Sequence, residues 1–261
     1  MYETLTYSVE DNVGVICLNR PEAANAMNPL MGKELNQVSL DVSEDEDVRA
    51  VVLTSTGRMF CAGGDLGDFA ASGAGARRLM MEMAADLHLG LSRLNRNKAP
   101  VIAAVNGTAA GAGFSLVMAC DLAIAVEEAV FTMAYTNAGL SPDGSSTYFM
   151  PRRIGDRRTR ELMLTNRVLS SEEALDWGIV NKVVGKDVLM DETMELAIKL
   201  SQGPSLAFGR VKNLLDSSFT QSLESQMELE ARAISEMVLT DDGQEGINAF
   251  LEKRKPVFRG K

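Results

Sequence analysis

Three stretches of this chain carry residues arranged for chemistry: Phe60–Leu66, Val101–Asp121 and Tyr135–Ser146. The middle one, V-I-A-A-V-N-G-T-A-A-G-A-G-F-S-L-V-M-A-C-D, reads as a short apolar strand, a glycine-rich turn and a small-residue helix start. That order aims backbone N–H groups and a helix N-terminus at one point, where negative charge is stabilised. The run F-C-A-G-G-D-L follows another strand-like segment and offers a further exposed amide. Two amides converging from separate loops suit an oxyanion. The third stretch contributes Asp143 in A-G-L-S-P-D-G-S-S, eight positions beyond Tyr135.

The elements that must position these groups follow from pattern. Thr4–Val9 and Val13–Asn19 flank Glu10-Asp11-Asn12 and predict a β-hairpin. Asn28-Pro29 places a capping residue before a proline and opens a helix to about Ser43. Arg49–Thr54 reads as a buried strand and Ser55–Leu66 as a loop, while Ala71–Gly75 reads as a flexible lip. Arg77–Arg96 is amphipathic, with Met80, Met83, Ala84, Leu87, Leu91 and Leu94 on one stripe. Val101–Val105 and Asp121–Val126 are further strands, and from about Asp156 the pattern turns helical. Alternating helix and strand segments place the chain in the α/β class.

Composition narrows the function. At 261 residues and a net charge of −10, the chain is poorly suited to nucleic acid or an anionic membrane. Cys17, Cys61 and Cys120 are odd in number and widely spaced, so they read as buried free thiols of a reducing compartment. No secretory or transit signal and no membrane-spanning stretch is visible, which makes a soluble cytoplasmic protein the plain expectation. His88 is the one histidine and the cysteines lack paired spacing, so no metal site is expected. No phosphate-loop or dinucleotide fingerprint is present. A triad of Ser115, His88 and Asp143 lacks a nucleophile-elbow context.

Together with N-R-P-E-A-A-N-A-M-N at Asn19–Asn28 and F-L-E-K-R-K-P-V-F at Phe250–Phe258, these motifs resemble the enoyl-CoA hydratase/isomerase (crotonase) family. The resemblance covers nearly the whole chain. It implies an α/β crotonase (ClpP-like) spiral of ββα units over residues 1–200, holding the acyl-CoA site. A helical trimerisation region would follow over residues 201–261, giving a homotrimer or dimer of trimers. Coenzyme A would enter as part of the substrate, with no permanently bound cofactor.

By position in the family motifs, Gly64 and Ala112 supply the two amides that polarise a thioester carbonyl. Losing one such donor costs other enzymes roughly 3–4 kcal/mol of transition-state stabilisation. The family also implies coenzyme A contacts from Ala24, Ala26 and Met27, from Ala62, Gly63, Asp65 and Leu66, and from Phe250 and Lys253 near the C-terminus. The last often reaches a neighbouring subunit. The basic tail at Lys253, Arg254, Lys255 and Arg259 is a further candidate for the phosphates, or a solvated helix end. Met59, Met80, Met83 and Met133 are candidate linings of an acyl pocket, or plain core.

The chain departs from the hydratase pattern where it matters. The two glutamate positions hold Ser115 and Tyr135, and neither supplies a carboxylate base. Asp143 matches the catalytic aspartate of dienoyl-CoA isomerases, the oxepin-CoA-forming isomerase and 4-chlorobenzoyl-CoA dehalogenase. On local sequence alone it reads rather as a turn or helix N-cap residue. His88 matches the dehalogenase's water-activating histidine, though it also reads as a spacer at the helix flank. That enzyme's aromatic pocket residues are largely absent, the equivalent positions holding Gly64, Met80, Leu87 and Tyr135.

The leading expectation is an enoyl-CoA double-bond isomerase with Asp143 as proton shuttle, oriented by His88 and Tyr135. The alternatives are a dehalogenase-like or other acyl-CoA hydrolase, with Asp143 as nucleophile and His88 as base, and a non-catalytic acyl-CoA-binding member.

Overall fold

The computed structural model describes residues 2–261. The expected hairpin forms from β1 (Leu5–Glu10) and β2 (Val13–Leu18), with Leu5 opposite Leu18. Asp11 and Asn12 turn it with positive φ, the region that short polar side chains tolerate best. The remaining strands are β3 (Ala50–Ser55), β4 (Met59–Cys61), β5 (Val101–Val105), β6 (Thr108–Ala110), β7 (Leu122–Val126), β8 (Val130–Thr132), β9 (Leu169–Ser170) and β10 (Lys182–Val184). They divide between a six-stranded sheet ordered β1-β2-β3-β5-β7-β10 and a four-stranded sheet ordered β4-β6-β8-β9.

From β2 onward every neighbouring pair in the larger sheet is parallel. Such strands are covered on both faces, which explains the unbroken apolar runs of β3 and β5, buried at every position. The chain repeatedly leaves the large sheet for the small one and then enters a helix. It passes β3–β4 to α2 (Leu66–Ala71) and α3 (Ala76–Arg96), having earlier formed α1 (Pro29–Glu44). It passes β5–β6 to α4 (Ala112–Ala119), and β7–β8 to α5 (Ser146–Ile154) and α6 (Asp156–Thr165). These are the ββα turns of the expected spiral. The chain continues through α7 (Ser171–Asp176), α8 (Leu189–Ser201), α9 (Ser205–Ser218), α10 (Leu223–Met237) and α11 (Asp241–Leu251), so the C-terminal region is helical.

The structure corrects several expectations. The Ser55–Leu66 loop contains β4 and delivers the chain into α2. Ala71 closes α2 and Gly73–Gly75 forms a 3-10 turn, so the proposed flexible lip is largely helical. Cys17 is half-buried, whereas Cys61 and Cys120 are buried; all three thiols are free. Burial pushes the Cys61 thiol up to about 11 and that of Cys120 to about 12, so both stay protonated. No helix among the described residues is long and apolar enough to cross a membrane.

The C-terminal helices are anchored to the sheet core by a buried charge. Lys212 of α9 is 8 % exposed; its Nζ donates to the Leu94 and Ala99 carbonyls and pairs with Asp121 at 2.7 Å. Asp121 also accepts from the Val101 amide at 2.8 Å, so the cluster fixes α9, the end of α3 and the start of β5 together. Removing one partner of such a pair strands the other charge. Lys212→Met should therefore lower stability by roughly 3 kcal/mol, read from the midpoint of urea unfolding at unchanged slope. An unchanged midpoint would show that this clamp is dispensable.

Candidate active site

The two glycine-rich loops meet at their backbones. Gly111, with φ 50° and ψ −120°, ends the β6 turn and caps α4; Gly63 has φ 101°. These conformations suit glycine, and at Gly63 the packing is tight as well: a Cβ would lie 3.2 Å from the Ala110 oxygen and 3.5 Å from Gly111 Cα. The amides that follow, of Gly64 and Ala112, have no acceptor among the described residues. Ala112 is the first residue of α4, whose opening N–H groups lie beyond the reach of its own carbonyls. Both residues line one cavity of about 350 Å³, as the motif positions implied.

Polar side chains hold the Gly64 loop in register. Met27 donates to the Gly63 carbonyl at 2.7 Å and Asp65 donates to the Met27 carbonyl at 2.9 Å, which leaves the Gly64 amide between them unused. Asn25, fully buried, donates to the Thr56 and Met59 carbonyls and accepts from the Arg20 amide. Asp65 caps α2 through the Gly67 amide and pairs with Arg20 at 3.2 Å; Arg20 also binds the Ala26 carbonyl. Sequence reading missed Arg20 and Asn25. The available signal was an asparagine within a tight turn, where positive φ is tolerated.

Asp143 reaches the same cavity from the loop before α5. It is not a helix cap; that place belongs to Ser145. Its backbone carbonyl accepts from Ser115 and Ser146, and its Oδ1 accepts from the Tyr135 hydroxyl at 2.7 Å. Oδ2 has no hydrogen-bond partner among the described residues and lies 3.9 Å from His88 Nε2. Burial, and after it the charge of Asp143, holds the Tyr135 phenol far above its ordinary value. Tyr135 is therefore a fixed donor. Ser115 Oγ sits 3.0 Å from that phenol oxygen. Gly144 presses on this serine so closely that a Cβ on Gly144 would lie 2.8 Å from Ser115 Cβ. The close contact leaves no room for a side chain at position 144 beside this serine.

Among the described residues lining the cavity, Asp143 is the one carboxyl. Met27, Ala62, Gly63 and Leu66 line it as expected, as do Met80, Met83, Leu87 and Tyr135. Arg77, Met81 and Phe69 also line it and were not anticipated. Met133 belongs to the packed interior instead, and Met59 is half-buried away from the cavity. Ala24, Ala26 and Asp65 flank the cavity without lining it. The Ala24 carbonyl is taken by the Ala62 amide.

Phe250, 83 % exposed, and Lys253, also exposed, are not brought to the cavity of their own chain. The tail cations are not gathered there either. Arg254 grips both oxygens of Glu245, at 2.6 and 2.7 Å, and holds that carboxyl down at about 2.

His88 does not line the cavity. Its Nε2 accepts from the Gly144 amide at 3.1 Å, which requires a lone pair on that nitrogen and ties the imidazole to the Asp143 loop. No cluster of three or more metal-ligating side chains occurs among the described residues.

Two free amides and a single tyrosine-held carboxyl lining one cavity are the groups needed to stabilise an enolate while moving one proton. Tyr135→Phe should lower kcat about 10- to 100-fold, the worth of about 1.5–3 kcal/mol for a hydrogen bond to a charged group. In the wild type the raised pKa keeps this donor protonated as pH passes 10.0, the ordinary tyrosine value, so Tyr135 adds no loss of rate there. Steady-state rates of both proteins across alkaline pH check this; an unaffected Tyr135→Phe enzyme would remove the tyrosine from the site.

The enoyl-CoA hydratase/isomerase family profile matches residues 8–261. A Rhodobacter capsulatus protein described as a probable enoyl-CoA hydratase is 39% identical, the match covering 100% of this chain and 99% of that one. The 1,2-epoxyphenylacetyl-CoA isomerase of Escherichia coli is 38% identical over 100% of both chains. The crystal structure of an enoyl-CoA hydratase from Polaromonas sp. JS666 superposes with a TM-score of 0.93 at 32% identity, covering 98% of this chain and 99% of that one. The fold, the crossing of the two loops and these likenesses agree that the chain belongs to the enoyl-CoA hydratase/isomerase family.

Proposed function

We propose that the protein is an acyl-CoA double-bond isomerase. The observation that carries this reading is the single carboxyl of the cavity, with one oxygen held by Tyr135 and the other free. The thioester oxygen sits between the Gly64 and Ala112 amides, which accept the charge as it develops. Asp143 Oδ2 takes a proton from the α or γ carbon, and the C–H electron pair passes into the dienolate. Oδ2 then delivers a proton to the other carbon as the thioester carbonyl re-forms, and the double bond has moved. Atoms and charge balance without a second catalytic group.

Water addition needs a further group to hold the water, and the two positions for it carry Ser115 and Tyr135, both committed to the Asp143 loop. Named relatives include a hydratase and an isomerase, so the choice rests on this inventory. The hydrolase reading asks His88 to act as a base, but its Nε2 lone pair is occupied by the Gly144 amide.

NMR of a 3-enoyl-CoA with the purified protein should show conversion to the conjugated 2-enoyl-CoA. Asp143→Asn should slow that conversion by about 100-fold or more, the usual worth of a positioned acid–base group. His88→Gln should keep most of the activity, because its amide oxygen can still accept from Gly144. Substrate that binds but stays untouched would overturn the isomerase, and a covalent ester on Asp143 in His88→Gln would establish the hydrolase instead.

A further inference from the structure

A second cavity, of about 540 Å³, lies on the other side of Asp143. Asp143 is the one described residue that lines both. The first cavity is apolar and methionine-rich. The second is walled by Ser92, Asn95 and Arg96 of α3, Thr147 and Tyr148 of α5, and Asp216 of α9. It is roomy and rich in hydrogen-bonding groups, the two conditions that ordered water requires. Tyr135, which holds Oδ1, lines the first cavity; His88, whose Nε2 lies 3.9 Å from Oδ2, lines the second.

A bound acyl group fills the first cavity and expels its water. The carboxyl then meets solvent through the second. Resting on the assignment of Asp143 as proton shuttle, we propose that the second cavity is a water-filled exchange chamber for the shuttled proton. The protonated carboxyl gives its Oδ2 proton to a cavity water and regains a different proton from that water before returning it to carbon. No bond to carbon forms or breaks in this exchange, and nothing is oxidised or reduced.

His88 is not the relay, since moving a proton onto Nε2 would displace the Gly144 N–H that it accepts. It is a positioning residue in the chamber wall. The proton delivered to the product therefore comes largely from solvent, although the substrate supplied one.

The test follows a 3-enoyl-CoA in deuterated water by NMR, scoring protium against deuterium at the newly protonated C4 together with kcat. The wild type should place mainly deuterium there. Ser92→Phe and Thr147→Phe fill the chamber from facing walls at exposed positions outside the catalytic groups. Each should raise the protium carried over from C2 severalfold with kcat nearly unchanged. Either variant that folds is sufficient.

Filled variants that turn over with wild-type deuterium uptake would overturn the chamber and leave the shuttle intact. A wild type that transfers protium without deuterium uptake would do the same. A wild type that binds the substrate and never converts it would overturn the shuttle itself, and the chamber with it.

Discussion

Two backbone N–H groups left without partners at the edge of an apolar cavity are the constraint on which this structure depends. An unpaired amide in such a place is costly, so a fold keeps it only where the surroundings over-determine it. Here the surroundings do so from three sides. The Gly63 and Gly111 backbones touch, the 24–27 segment pairs with both neighbours of the Gly64 amide, and α4 begins at Ala112 with every residue buried. The spiral of ββα units delivers this arrangement because β4 and β6 run parallel as neighbours, bringing the loops that follow them out side by side. In the proposed reaction, an oxygen gaining negative charge between the two amides would restore what the fold withholds.

The acid–base half of the site is built by subtraction. With Ser115 and Tyr135 in place of carboxylates, the loop carrying Asp143 and Gly144 packs directly against the serine, so closely that Gly144 has no room for a side chain. Tyr135 donates to one oxygen of Asp143 and leaves the other available, while Ser115 and Ser146 hold the carbonyl of the same residue. The hydroxyls thus fix the position of the carboxyl and leave Oδ2 without a hydrogen-bond partner among the described residues. His88 supports the loop one residue further on, through the Gly144 amide.

Much of this was legible in the sequence. The long apolar runs of β3 and β5 and the stripe of α3 are strong periodic signals, and they place the large sheet and its covering helix. The three-residue strands β4, β6 and β8 were not legible, because so short a segment shows no period. Gly64, Ala112, Asp143 and Tyr135 stand in motifs in family order, and the fold brings all four to the lining of one cavity. Arg20 and Asn25 were missed because they act through backbone partners distant in sequence, which no local pattern encodes. His88 was placed beside Asp143 correctly. The direction of its hydrogen bond, which decides between base and brace, depends on a loop conformation that sequence does not display.

A crystal structure with an unreactive saturated acyl-CoA bound would place the thioester relative to the two amides and the carboxyl. The thioester oxygen should lie about 2.7–3.1 Å from both the Gly64 and Ala112 nitrogens, the separation at which amides stabilise an oxyanion. Asp143 Oδ2 should then stand roughly 3–3.5 Å from the α or γ carbon, the approach needed for proton transfer. A thioester oxygen bound away from either amide, or a carboxyl turned from the acyl chain, would contradict the account.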